Sequence, residues 1–217
     1  MLKARDFRQR AWSHLGGNWL GKIWGTFALI TLVYLVIDGV CGGLSWVAIG
    51  TAALIIVSGP LELGFAIIST NVVRGNEIKF EEFFDGFKNM GSAILLWLLN
   101  TVFIALWSLL LIIPGIIKSY SYSMSFYILR DNPNMSQDEA RRTSMAMMHG
   151  NKWRLFCLDF SFIGWLILCG LTFGILTFWV LPYMRTAHAE FYQSLLEEAG
   201  VANPAPQTGT TGNEELL

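Results

Sequence analysis

The residues best placed to do chemistry in this chain are ionisable side chains set inside apolar runs. Glu62 lies well inside the run 44–73, and Lys118 opens the run 115–130. Asp159 sits near the start of the run 154–171, and Arg185, His188 and Glu190 interrupt the run 174–196. A charge near a bilayer centre costs at least a few kcal/mol, so such groups pair internally or face a wet cavity. A Glu62–Lys118 or Glu62–Arg185 pair would satisfy that demand and tie distant parts of the chain together. The other use of these residues is a proton or substrate path. The run 115–130 adds Ser119, Tyr120, Ser121, Tyr122, Ser123, Ser125 and Tyr127. So dense a hydroxyl row suits a central helix or a polar cavity wall, because small polar residues let membrane helices approach and hydrogen-bond.

Motifs for catalysis are missing. The sequence has no HExxH, GxSxG, P-loop or kinase set. His14, His149 and His188 are scattered, and no carboxylate pair stands at catalytic spacing. Cys41, Cys157 and Cys169 lie far apart in or beside apolar runs, with no metal-site spacing. They read as small buried hydrophobes. The expectation is no metal and no cofactor, and the sequence leans against an enzyme.

The elements that must position these residues are membrane helices. Of 217 residues, 53% are hydrophobic and only 14% charged, and the mean hydropathy is +0.47. Soluble domains carry about 25% charged residues. Several runs reach the roughly 20 apolar residues that a span requires. The expected fold is all-α: a polytopic integral membrane protein with six transmembrane helices, arranged as three helical hairpins with short interfacial amphipathic helices. The expected spans are about 19–40, 44–73, 91–113, 115–130, 154–171 and 174–196. Residues 1–18 form an N-terminal interfacial amphipathic helix, polar and basic and unlike a cleavable signal. Residues 19–199 form the membrane domain, and 200–217, rich in Gly, Thr, Pro and Asn, form a disordered cytoplasmic tail.

Three features support hairpins. An amphipathic segment, a Gly, an apolar run, a Pro near a turn and a second apolar run recur three times, with Gly17, Gly86 and Gly150 and with Pro60, Pro114 and Pro182. The stretch 155–183 is long enough for one helix or for a hairpin, and the repeat favours a turn near 171–174. The 15 Lys and Arg residues fall at the N-terminus, in 74–90 and in 130–154, apart from Lys118 and Arg185. The positive-inside rule then puts both termini and both long loops in the cytoplasm.

The two long loops carry further candidates. Residues 77–88 read as a short helix with Phe80, Phe83, Phe84 and Phe87 on one face and Glu77, Glu81, Glu82 and Asp85 on the other. Its acidity speaks against anionic lipid as its ligand, so it reads as an elbow docked on the protein's own helices or as a partner face. Ser136-Gln137-Asp138-Glu139 is a capping-box pattern. The helix it opens has Ala140, Ser144, Met147 and Met148 on one side, with Arg141 and Arg142 off that side. That arginine pair could meet lipid phosphate or another membrane protein. The net charge of −1 gives no electrostatic case for a nucleic-acid partner. Oligomeric state is not legible.

Leu106–Tyr127 (LWSLLLIIPGIIKSYSYSMSFY), Gly150–Leu168 (GNKWRLFCLDFSFIGWLIL) and Leu181–Tyr192 (LPYMRTAHAEFY) resemble a bacterial integral membrane protein family, domain-of-unknown-function family 975. The resemblance covers about residues 1–195. It implies the bacterial cytoplasmic membrane and no assigned activity. The family is distantly similar to the non-catalytic membrane domain attached to some glycerophosphodiester phosphodiesterases. Three functions follow as expectations. The first is a non-enzymatic protein that supports a membrane or envelope process through its cytoplasmic interfacial helices. The second is a small transporter or permeation pathway using Glu62, Lys118 and Arg185. The third, a membrane lipid-related enzyme, would need a carboxylate or His cluster at headgroup depth.

Overall fold

The computed structural model describes residues 3–17, 21–43, 48–76, 78–172 and 174–200, and these are all helix, turn or coil, with no strand among them. The expected tail after residue 200 and the first residues of the expected span 44–73 lie outside the described residues. Among the described residues four helical stretches are long and apolar enough to cross a membrane: Ile23–Val40, Leu54–Val73, Met90–Leu110 and Lys152–Leu171.

Helix α1 (Ala4–His14) starts where the Asp6 carboxylate accepts the Lys3 backbone N–H at 2.8 Å. Phe7, Ala11 and Leu15 recur every four residues and are fully buried. Phe7 meets the ring of Phe191 at 5.2 Å, so α1 packs its apolar face into the bundle. Helices α2 (Lys22–Gly43) and α3 (Ala48–Val73) follow. Gly39 lies inside α2. On both helices the inner half is buried (Trp24, Phe27 and Ile30; Leu61, Phe65 and Ile68), whereas Leu32, Val36, Val40, Ile55 and Ile56 are exposed. That apolar outer surface is what hydrocarbon would cover.

The acidic loop forms a 3₁₀ elbow, Phe80–Phe87, rather than an α-helix. Three residues per turn put Phe80, Phe83 and Gly86 in one row. Phe83 is fully buried against Phe65 at 5.3 Å, while Phe84 is 41% exposed, so the four Phe residues do not share one buried face. The elbow sits on α3 because two glycines allow it. A Cβ on Gly64 would overlap the Phe83 carbonyl, and one on Gly86 would overlap the Pro60 carbonyl.

Helices α4 (Met90–Leu110) and α5 (Ile112–Tyr122) form a hairpin with one extended residue, Leu111, at its tip. Gly115 lets α5 close on Ser108. Pro114 falls in the first turn of α5, where a missing N–H costs nothing. The expected single helix over 115–130 is instead broken: α5 stops at Tyr122 and α6 runs Ser125–Asp131. The cause is the hydroxyl row. Ser119, Ser121, Ser123 and Ser125 each donate to a backbone carbonyl three or four residues back, which bends helices. Ser144 stabilises the break by donating to Ser121 O at 2.8 Å and accepting from Met124 N at 3.2 Å.

Helix α7 (Gln137–Met147) is capped by Ser136, whose hydroxyl accepts from Glu139 N at 3.3 Å. Helices α8 (Lys152–Phe160) and α9 (Ile163–Leu171) are separated by a turn at Ser161 and Phe162, where Arg8 of α1 donates to the freed Ser161 carbonyl at 2.9 Å. After α9 the chain turns, with Gly174 at φ +85° and the Ile175 N–H donating to Thr172 O at 3.1 Å. Helix α10 (Thr177–Glu198) then runs inward, and from Ala189 to Leu196 every residue is buried. It packs against α1, α2, α3, α8 and α9.

Candidate functional site

Helix α10 gathers most of the ionisable candidates. Arg185, His188 and Tyr192 stand at i, i+3 and i+7 and so share a face, and Glu190 points the opposite way. Each reaches a different element. Arg185 clasps Glu62 of α3 with two hydrogen bonds, 2.6 and 2.8 Å. His188 Nε2 lies 2.6 Å from Asp159 Oδ1 of α8, and Tyr120 of α5 donates to the other oxygen of Asp159 at 3.0 Å. Tyr192 donates to Asp131 of α6 at 2.9 Å. Glu190 meets His14, the last residue of α1, at 2.6 Å. One helix is thereby pinned to α1, α3, α6 and α8 by groups that are costly to leave unpaired at low dielectric.

Of the two partners weighed for Glu62, Arg185 takes the place and Lys118 does not. Lys118 stands over the Trp107 and Tyr122 rings, 5.2 and 6.0 Å from their centroids. The guanidinium of Arg185 also lies over Phe65 at 5.1 Å. The Glu62–Arg185 pair is about a quarter exposed at both ends (24% and 25%), as is His188–Asp159 (23% and 28%). The hydroxyl row is spent locally: its serines bond their own backbone, Tyr120 serves Asp159, and Tyr122 lies between the cations of Lys118 and Arg141.

Arg141 departs from the expected outward pair. It is buried, 4.0 Å over the Phe103 ring of α4, and pairs with Asp138. Arg142 does face out, 74% exposed, and bonds Asp138 at 2.7 Å. The reason for the difference is the aromatic slot between Phe103 and Tyr122, which accepts a planar cation. Hydrogen bonding from Arg141 and Arg142 holds the Asp138 carboxyl below the usual carboxylate range.

A second buried network escaped the sequence reading. Asp131 accepts both Nη groups of Arg74 (3.0 and 2.8 Å) and one from Arg130 (2.7 Å). Arg130 continues to Asn71, which donates to Glu82 of the elbow at 2.8 Å. At the end of α10, Arg154 forks onto Glu198 with two bonds of 2.8 Å and holds that carboxyl below the usual glutamate range. Nothing in the spacing of Arg74 and Asp131 marks them as partners. The only local signal is that each is a charged residue at the C-terminal end of a helix, next to turn residues.

Among the described residues no three His, Cys, Asp or Glu side chains converge as metal ligands. Cys157 is half-buried and Cys169 buried, both as free thiols. The arrangement resembles a set of cross-braces more than a reaction centre: each carboxylate of the seam already accepts a hydrogen bond from a neighbouring helix.

No curated protein matches the chain, and no solved structure does either. Residues 109–199 match a family described as Protein of unknown function (DUF975), a stretch that takes in the hairpin tip, α5, the α7 clasp and the whole of α10. The match covers less than half of the chain and supports assigning that segment to the domain-of-unknown-function 975 family.

Proposed function

We propose that the protein is a non-enzymatic component of the bacterial cytoplasmic membrane that supports a membrane or envelope process. In this reading three helical hairpins return each time to the cytoplasmic face. Both termini and the loops 74–90 and 130–154 then lie inside, where the basic residues are concentrated. The observation that carries the reading is the use of the intramembrane ions. Glu62, Arg185, His188, Asp159 and Glu190 each hold a partner on another helix, which is the economy of a scaffold rather than of a pathway. The elbow and α7 then form a cytoplasmic surface of Phe84, Glu81, Lys88, Arg142 and Glu139 on which a membrane partner would act.

One observation favours transport as a second reading: the Glu62 and Asp159 carboxylates keep a quarter of their surface. The full-length protein in vesicles loaded with a pH-sensitive dye, under a potassium diffusion potential, separates the two. The scaffold reading expects proton entry equal to that of protein-free vesicles and no change in Glu62→Gln. Entry above that background that disappears in Glu62→Gln would replace it with the transport reading.

A further inference from the structure

The geometry points to a middle hairpin, α4–α5, that dips into the cytoplasmic leaflet and turns back near the bilayer midplane without crossing. Its partner is the acyl-chain layer of one leaflet. The argument starts from α7. That helix exposes Arg142, Asp138 (45%) and Glu139, so it lies in water or among headgroups. Yet it is fastened along the hairpin. Gln137 donates to Ser92 at 2.9 Å, Arg141 covers Phe103, and Ser144 bonds Ser121 and Met124. Hydrocarbon therefore begins outward of Phe103 on α4 and of Ser121 on α5.

From Ser121 to Ile112 a helix advances about 14 Å, and from Phe103 to Leu110 about 10 Å. The hydrocarbon layer is about 30 Å thick. The free part of the hairpin thus reaches about halfway. The exposed stripe Leu95, Leu98 and Val102 on the other side of α4 (37–52%) fits a helix entering obliquely, which shortens its reach further.

The tip is built for that depth. From Val102 to Ile117 the chain has no charged residue, and Leu109, Leu110, Leu111, Ile112 and Ile113 are 63–88% exposed. A turn that emerged on the far side would place this apolar cluster in water. A turn in hydrocarbon must also limit its bare backbone groups. Here one residue breaks the helix, the Leu111 N–H still bonds Trp107 O at 3.0 Å, and Pro114 has no N–H to satisfy.

The inference rests on residence in a bilayer with α7 on the cytoplasmic side. The test is a spin-label depth profile on the full chain in lipid vesicles, comparing oxygen with a water-soluble nickel chelate. Labels go one at a time on the exposed sites Leu106, Leu109, Leu111, Ile113 and Ile117, with Leu32 and Ile167 as controls. A single depth maximum at Leu111–Ile113 is expected. Two maxima flanking a shallow tip would overturn the hairpin proposal alone, since the controls would still report lipid. No lipid contact at any site, controls included, would overturn the bilayer reading and the hairpin with it. Should the cysteine-free background not fold, an azide-bearing residue at Leu111 in the native chain serves instead. Reaction with a membrane-impermeant cyclooctyne on intact cells would contradict the proposal, and reaction only after detergent would support it.

Discussion

Replacing Gly86 by Ala should detach the elbow from α3. The Cβ would overlap the Pro60 carbonyl and lie 2.8 Å from Gly64 N, where carbon contacts normally settle at about 3.5 Å. Both neighbours are backbone atoms in the middle of α3, which cannot rotate away, so the elbow itself must retreat by roughly 1 Å or more. That opens the contact of Phe83, a fully buried ring, with Phe65. Overpacking of this kind costs about 1–3 kcal/mol, and the rigidity of the opposing backbone places Gly86→Ala at about 3 kcal/mol. Gly64→Ala meets the same contact from the other side and should cost about as much. Gly91→Ala is the matched control. No atom lies within 4 Å of its added Cβ, it sits in the first turn of α4, and it should be neutral or stabilise by up to about 1 kcal/mol. Unfolding in mixed micelles, followed by helical circular dichroism against the detergent mole fraction, reads all three. If Gly86→Ala and Gly64→Ala both stay within about 0.5 kcal/mol of the parent, the elbow does not pack as described.

Arg141→Met should cost about 1–2 kcal/mol by removing the cation from the Phe103–Tyr122 slot, while Arg142→Met should stay within about 0.5 kcal/mol; the same unfolding titration distinguishes them. The Glu198 carboxyl titrates lower when folded than unfolded, so the Arg154 fork adds stability above the ordinary glutamate range and loses it as pH falls through the lower folded value. Acid should therefore loosen the end of α10, read by amide exchange over 192–198, and Arg154→Met should remove that pH dependence. Single cysteines at residues 80 and 140 should resist impermeant maleimide applied to intact cells, and labelling of either from outside would reverse the assigned orientation.

The elements that could be read from sequence were those governed by local rules. Apolar runs of span length located the four helical stretches long and apolar enough to cross a membrane, Ser136 and Glu139 marked the start of α7, and Phe7, Ala11 and Leu15 marked the buried face of α1. The Gly174 turn followed from the repeat. What could not be read depended on which side chains meet across the bundle. The serines of 119–125 looked like a cavity lining, yet their hydroxyls fold back on their own carbonyls and break the helix. Arg141 and Arg142 are adjacent and chemically alike, and only the position of Phe103 sends one inward. The 3₁₀ winding of the elbow arises from the close approach of Gly64 and Gly86, which no periodicity records. For the candidate site, Glu62 with Arg185 was one of two pairings the sequence allowed, and it is the one the fold forms. The brace between Arg74 and Asp131 was not legible, because its partners stand 57 residues apart on separate elements.

The central claim is that the intramembrane charges brace the bundle by pairing with each other. Exchanging the two ends of the Glu62–Arg185 clasp tests this most directly. Yield of folded, monodisperse protein is measured for Glu62→Arg, for Arg185→Glu and for the double exchange. The bracing account predicts that each single exchange, which sets two like charges together, abolishes folded protein, and that the double exchange recovers a substantial part of it. A double exchange no better than the worse single variant, or single exchanges that fold as well as the parent, would contradict it.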